Sequence, residues 1–257
     1  MAEDVGGGDA TSSAVVDEHA ISGARVLLRE PGIVCGLRVA GGVFAHLGAE
    51  LEPLVGDGSP CEPGPVARVT GPVRAILAGE RLALNLLGRL SGIATLTRRH
   101  VDAVSGTGVR ILDTRKTTPG LRALEKEAVR CGGGLNHRQG LYDGVLIKDN
   151  HLRLVGSVAE AVRRARTAGM PVHVECESLD QVREALAAGA DRLLLDNMAI
   201  PALREAVALA RGHAECEASG GVTLDTVRAV AETGVDFISV GALTHSARSL
   251  DLSVEVL

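Results

Sequence analysis

Six short apolar runs in the second part of the chain, each closing on a charged residue, a serine or a glycine, constrain its fold more than any other feature. They are Val109-Arg-Ile-Leu-Asp-Thr-Arg-Lys116, Gly144-Val-Leu-Ile-Lys148, Val172-His-Val-Glu175, Arg192-Leu-Leu-Leu-Asp196, Ala214-Glu-Cys-Glu-Ala-Ser219 and Asp236-Phe-Ile-Ser-Val-Gly241. Runs of this length, rich in Val, Ile and Leu, read as buried strands. Helical patterns predicted over 158–168, 179–188, 200–211 and 224–233 separate the later ones. The Gly-Ala-Asp of 189–191 and the Gly-Val-Asp of 234–236 stand where a helix stops and a strand begins. Strand alternating with helix at this spacing predicts right-handed βαβ units around a parallel sheet. Six such units suit an open doubly wound sheet or most of a barrel, and the barrel is the reading adopted.

The first ninety or so residues have another rhythm. Strands are predicted at 23–28 and 66–69, a short helix at 43–47, and turns at Pro31-Gly32 and Cys61-Glu-Pro-Gly-Pro65. From Val73 the apolar residues Ile76, Leu77, Leu82, Leu84, Leu86, Leu87, Leu90 and Ile93 fall on or near one face of a helix. The expected organisation is a smaller domain over 1–92 and a barrel over 93–249.

Composition narrows the function. Only 1% of the 257 residues are aromatic, which argues against stacking of nucleobases. The net charge of −5 argues against coating a nucleic acid. No apolar run approaches a membrane span, and the first residues lack the basic and apolar segments of a secretory leader. The five cysteines are odd in number and form no CxxC pair, so reduced thiols in a cytoplasmic protein are expected. Among 27 basic residues only Lys116, Lys126 and Lys148 are lysines.

In a barrel the chemistry gathers at the C-terminal ends of the strands. Here those ends carry Arg115, Lys116, Lys148, Glu175, Asp196, Ser219 and Gly241. With His137 and Arg138 they make a basic cluster in an acidic chain, which points to a small polyanion. Arginine engages carboxylate or phosphate through paired hydrogen bonds, and lysine supplies a point charge. Each cation alone reads as a solvated surface charge worth about 0–1 kcal/mol, so only the cluster is informative. Ser219-Gly220-Gly221, with Thr223 and a helix predicted from Leu224, and Gly241-Ala242 resemble turns that offer backbone N–H groups to a phosphate. Taken singly, a Gly-Gly after a strand is only a tight turn. Glu175 and Asp196 suit ribose hydroxyls or Mg²⁺, or equally an arginine or a helix cap. His151 and His245 fall near the same mouth, as sites or as loop hydrogen-bonders, whereas His19, His46, His100 and His213 have no metal-ligand spacing.

Three runs carry a family resemblance: Asp113-Thr-Arg-Lys-Thr-Thr-Pro-Gly-Leu-Arg122, Ala128-Val-Arg-Cys-Gly-Gly-Gly-Leu-Asn-His-Arg138 and Gly140-Leu-Tyr-Asp-Gly-Val-Leu-Ile-Lys-Asp-Asn-His151. Glu217-Ala-Ser-Gly-Gly221 and Val240-Gly-Ala-Leu-Thr-His-Ser246 extend it. The chain resembles the quinolinate phosphoribosyltransferases. The resemblance implies an N-terminal α/β sandwich domain, a partial (open) TIM-like α/β barrel, and a tail at 250–257 that returns to the first domain. It implies transfer of phosphoribose from phosphoribosyl pyrophosphate to quinolinate with decarboxylation, giving nicotinate mononucleotide for NAD synthesis, and Mg²⁺ as cofactor. Carried over by motif, Arg115, His137, Arg138 and Lys148 would bind quinolinate. Lys116, Glu175 and Asp196 would meet the phosphoribosyl pyrophosphate and its Mg²⁺, with Lys116, Lys148, Glu175 and Asp196 taken as the catalytic group. Ser219, Gly220, Gly221, Gly241 and Ala242 would hold the 5′-phosphate. A homodimer is implied, in which Arg81 reaches the partner subunit's site.

Two positions depart from the family pattern: Glu127, where an aromatic is usual, and Gln139, where an apolar residue is usual. The helix usual ahead of the first motif is expected to be absent. The rival readings are a paralogue associated with molybdenum transport, an aldolase using Lys116 or Lys148 as a Schiff base, and a non-catalytic phosphate-binding module. The complete Asn-His-Arg and Ile-Lys-Asp-Asn-His pattern weighs against the first of these.

Overall fold

The computed structural model describes residues 1–257. In chain order its elements are α1 (Ala10–Val15), β1 (Ile21–Leu28), β2 (Gly32–Ile33), α2 (Leu37–His46), β3 (Glu50–Pro53), β4 (Pro60–Cys61), β5 (Gly64–Pro72) and α3 (Val73–Ala103). Then come β6 (Arg110–Leu112), α4 (Arg122–Cys131), β7 (Val145–Ile147), α5 (Asp149–Val155), α6 (Val158–Ala165), β8 (Val172–Cys176) and α7 (Leu179–Ala187). The chain ends with β9 (Arg192–Asp196), α8 (Ile200–Ala210), β10 (Glu215–Ser219), α9 (Val227–Ala231), β11 (Phe237–Ser239), α10 (Ala242–His245) and β12 (Leu252–Val256). No helix is long and apolar enough to cross a membrane.

Two compact units result. The first comprises Met1–Arg98, Leu124–Gly133 and Ser246–Leu257. Its antiparallel sheet has the order β12-β1-β5-β3, with β12 running from Leu252 beside Leu28 to Val256 beside Ala24. Ala24, Val26 and Leu28 alternate inward on β1 and pack with Val66, Val69, Phe44, Ile76 and Leu87 in one aromatic-poor core. Helix α3 buries Ile76, Gly79, Ala83, Leu87, Leu90 and Ala94 at three- and four-residue spacing. At Gly92 a Cβ would stand 1.9 Å from the Arg248 carbonyl oxygen, so no larger residue fits beneath the returning chain.

The boundary expected at residue 92 lies inside α3, which continues unbroken for 31 residues. Residues 124–133 also join the first unit, for an electrostatic reason. Arg89 on α3 donates from Nε and Nη2 to Glu125 Oε1 on α4, at 2.8 and 2.5 Å, and Glu125 is wholly buried. Such a carboxylate is stable only with its cation in place. Lys126, beside it, is buried as well. The third lysine therefore belongs to this helix.

The second unit, Arg99–Ala123 and Gly134–His245, holds a six-stranded parallel sheet in the order β6-β11-β10-β9-β8-β7. The first strand lies beside the last, as closing into a barrel requires, but β6 and β7 do not pair. On the other edge of β6, Leu112 meets Leu135 in an isolated parallel bridge. The barrel is open there.

Strand periodicity then sorts the side chains. Glu175, Leu194 and Glu217 are in register across β8, β9 and β10, and Asp196, Ser219 and Ser239 are in register one layer on. Neighbours in register share a face, here the lumen. The alternate residues, Val174, Cys176, Leu193, Leu195, Cys216, Ala218 and Ile238, are at most 2% exposed, and the surrounding helices bury Val162, Val182, Ala185 and Ala206. Ser157 and Ser178 cap α6 and α7 by accepting the amides of Glu160 and Gln181. The sequence spacing did not reveal α4 or α5. Nor does α9 begin at Leu224: Thr223 to Thr226 form a hydrogen-bonded turn and the helix starts at Val227.

Candidate functional site

The lumen opens at the C-terminal ends of the strands into a cleft of about 620 Å³. Arg115, Lys116, Arg138 and Lys148 supply its positive charge, and Glu175, Asp196 and Glu217 its carboxylates. Ser219, Gly220 and Gly221 close one side. Ten of the residues expected from the strand ends and motifs thus line one cavity: Arg115, Lys116, His137, Arg138, Lys148, Glu175, Asp196, Ser219, Gly220 and Gly221. Gly241 and Ala242 do not line it directly; a Cβ on Gly241 would lie 3.1 Å from Lys116 Cδ. Arg81 is an exposed residue of α3 in the first unit.

The local sequence explains the placement. Asp113, wholly buried just beyond β6, accepts from the His137 amide at 2.9 Å and from Asn136 Nδ2 at 2.5 Å. One buried carboxylate therefore ties the 136–138 loop to the barrel edge. Thr244 Oγ1 donates to the Lys116 carbonyl at 2.7 Å, holding the other basic loop. Asp143 accepts the amides of Gln139 and Gly140, at 2.7 and 2.9 Å, closing the turn that follows Arg138. Gln139 is an exposed turn residue, and Glu127 is a half-buried α4 residue paired with Arg130 one turn on.

Two guanidinium groups are poised for an anion. Nε of Arg115 and Nε of Arg138 are both buried without a hydrogen-bond acceptor, although Arg138 Nη1 donates to the Gly144 carbonyl at 3.0 Å. Burial, and next the charge of Arg115, hold Arg138 below the ordinary arginine range, against a smaller opposing effect of Asp143. A buried cation with an unsatisfied donor, repelled by a second cation, is stabilised by an incoming carboxylate or phosphate.

The carboxylates differ from one another. Glu175 accepts from Lys148 Nζ, so these two cleft residues pair with each other. Asp196 accepts from Asn197 Nδ2 at 2.8 Å. Glu217 is wholly buried; burial pushes its carboxyl up, partly opposed by Ser239 and Arg192. Below the cleft, Arg110 and Arg192 stack on the Phe237 ring at 4.3 and 3.9 Å. His173 is pushed down to about 4, first by burial and then by Arg192, and is neutral at physiological pH.

Sequence reasoning assigned no role to Glu217, Ser239, Asp113 or Asn197. The signal for two of them was present: Glu217 stands two residues before Ser219, and Ser239 two before Gly241, so strand alternation turns them into the same lumen. Asn197 adopts φ +53, and a Cβ on Gly220 (φ +92) would stand 2.2 Å from its Oδ1. This interlock has no sequence signature. His151 caps α5, its Nδ1 accepting the Lys148 amide at 2.9 Å. The Schiff-base reading loses support, because Lys148 is ion-paired and Lys116 exposed, whereas such a lysine must be desolvated.

Comparison with known proteins agrees with this geometry. Residues 9–91 match the model of the quinolinate phosphoribosyl transferase N-terminal domain, and residues 93–255 that of its C-terminal domain. A probable nicotinate-nucleotide pyrophosphorylase [carboxylating] of Bacillus subtilis is 45% identical, over 99% of this chain and 90% of its own length. The nicotinate-nucleotide pyrophosphorylase [carboxylating] of Mycobacterium leprae is 44% identical, over 96% of this chain and 91% of its own. The solved nicotinate-nucleotide pyrophosphorylase of Francisella tularensis superposes with a TM-score of 0.96 at 41% identity, covering 100% of this chain and 92% of that one. With both domain models matched in order along one chain, it belongs to the quinolinate phosphoribosyltransferase family.

Proposed function

We propose that the cleft seats quinolinate beside phosphoribosyl pyrophosphate and that the protein joins them. The pyridine nitrogen attacks the ribose carbon and pyrophosphate leaves. CO₂ then departs from the ring, giving nicotinate mononucleotide for NAD synthesis. The observation that carries this reading is the pair of buried, acceptor-less guanidinium Nε–H groups among four cations. Quinolinate bears two carboxylates, and each needs a donor if it is to lie beside a pyrophosphate.

The chain's residues act by binding and electrostatics. Arg115 and Arg138 hold the dicarboxylate and fix the ring nitrogen, which converts a bimolecular encounter into an oriented one. Lys116 and the Ser219–Gly221 loop face the phosphates. Asp196 and Glu175 orient the ribose and stabilise the positive charge that develops on it as the bond to pyrophosphate lengthens. Once the nitrogen is alkylated, the ring cation stabilises the carbanion left on the ring carbon as CO₂ departs. That carbon then takes a proton from water, so no protein nucleophile is needed.

Magnesium fits this donor set as an ion carried by the substrate. No three metal-ligating side chains converge, and Glu175 is already paired with Lys148. Mg²⁺ commonly takes one or two carboxylates and completes its shell with phosphate oxygens and water. Asp196, with Glu175, would hold it, and when bound it would neutralise the departing pyrophosphate. We further propose a homodimer in which Arg81 of one subunit adds a cation to the cleft of the other. Mixed dimers of inactive Arg81→Ala and Lys148→Ala chains are then expected to regain activity, and no recovery in verified mixed dimers would exclude it.

The assay for the reaction is incubation with quinolinate, phosphoribosyl pyrophosphate and Mg²⁺, following pyrophosphate and CO₂ together. Equal release of both with quinolinate, and neither with nicotinate, is expected. Pyrophosphate release without CO₂ would overturn the decarboxylating reading.

A further inference from the structure

Glu217 is the buried carboxylate of the cleft that the proposed reaction leaves without a task. Its Oε1 lies 3.6 Å from His137 Nε2, and its Oε2 lies 3.4 Å from Arg192 Nη1. Arg192 is itself fixed by the Phe237 ring and by Glu215, to which Nε and Nη2 donate at 3.0 and 2.6 Å. The other nitrogen of His137 is also engaged: the Arg138 backbone N–H donates to Nδ1 at 2.8 Å. An amide can only donate, so Nδ1 carries no proton, and the neutral ring must carry its proton on Nε2, facing Glu217. Both Nε2 and Glu217 Oε1 are buried from solvent. At 3.6 Å the contact is longer than a formed hydrogen bond, and it leaves the two buried groups facing each other.

We propose that Glu217 is a positioning residue: it locks His137 as the neutral Nε2–H tautomer, and through His137 Nδ1 it sets the backbone and guanidinium of Arg138. The 136–138 loop is then held between two buried carboxylates, Asp113 on the side of β6 and Glu217 on β10. Burial of Glu217 suits this role, because a carboxyl this deep draws in nearby donors: Arg192 stands beside Oε2, Ser239 is a neighbour, and the His137 N–H is the group that faces Oε1.

The inference rests on the quinolinate reading only for its kinetic consequence, and the two fail separately. Long-range ¹H–¹⁵N spectra of the ligand-free protein are expected to show His137 Nδ1 unprotonated and Nε2 protonated at neutral pH. In Glu217→Ala the ring is expected to exchange between tautomers, while Glu217→Gln, whose amide oxygen still accepts, keeps the wild-type signature. Glu217→Ala is expected to raise the quinolinate KM about tenfold and the phosphoribosyl pyrophosphate KM less than about twofold, with Glu217→Gln recovering most of the loss. A proton on Nδ1 in the wild type, or an unchanged His137 spectrum in Glu217→Ala, would overturn the proposal. If the wild type shows the expected tautomer yet does not bind quinolinate, the substrate reading falls and the lock stands.

Discussion

Replacing Arg138 by glutamine is expected to separate ligand affinity from stability. In the ligand-free cleft Arg138 carries a burial penalty and the repulsion of Arg115, and its satisfied contact is the Gly144 carbonyl at 3.0 Å. Losing that hydrogen bond costs roughly 1 kcal/mol, and relief of the repulsion from Arg115 offsets part of it, so the net loss of stability is expected to stay below about 1 kcal/mol. Binding has no such compensation. A charge-assisted hydrogen bond to a carboxylate is worth about 1.5–3 kcal/mol, which is roughly a 10- to 150-fold loss of quinolinate affinity. Calorimetric titration with quinolinate, beside urea unfolding of the free protein, measures both quantities. A variant destabilised by several kcal/mol with its affinity nearly intact would refute the reasoning, because Arg138 would then be a structural residue.

Three further outcomes are expected. His173 stays neutral in the folded protein down to about pH 4, whereas in the unfolded chain it takes a proton near its ordinary 6.5. Its contribution to stability is therefore present above pH 6.5 and lost as pH falls toward 4. The displacement bounds the loss at ~3 kcal/mol, which solvent screening of the half-buried ring reduces to roughly 1–2 kcal/mol. His173→Asn should flatten urea-measured stability across that window, and parallel curves for the two proteins would count against this. Gly220→Ala forces a side chain against Asn197 at a left-handed backbone position, at a cost of about 1–2 kcal/mol; its phosphoribosyl pyrophosphate KM should rise, and wild-type kinetics would show that the loop is not part of the site. Among the cysteines, Cys131 is held below the ordinary thiol range, chiefly by a hydrogen bond from Cys35, whereas burial pushes Cys176 and Cys216 up to about 12. Iodoacetamide should label Cys131 well before those two, and comparable rates in the native protein would contradict that order.

The sequence was most legible where one-dimensional pattern and chemistry coincide. An apolar run closing on Lys148 or Asp196 announces both a strand and the functional end of that strand, so the barrel and most of its cationic mouth could be read together. Glu217 and Ser239 were harder, because a polar residue inside an apolar run reads as an interruption until the strand's register assigns it to the lumen. Asp113 was quoted within a motif, but its hold on the 136–138 loop depends on a return of the chain that no local pattern encodes. The boundary near residue 92 falls inside helix α3, and the first compact unit also draws in segments from elsewhere in the chain. Helix α3 has one continuous apolar face, and the Arg89–Glu125 pair that draws α4 into the first unit spans 36 residues. Helices α4 and α5 were missed because charged and polar residues dilute their apolar spacing.

The central claim is that one cavity holds two anions because its cations outnumber its carboxylates. Its most direct measurement compares the dissociation constants of quinolinate and nicotinate, ligands that differ by one carboxylate, on the wild-type protein at low and physiological salt. The second carboxylate should strengthen binding by at least about tenfold, the worth of one charge-assisted hydrogen bond, and the advantage should shrink as salt rises. Equal affinity for the two, at either ionic strength, would contradict the account.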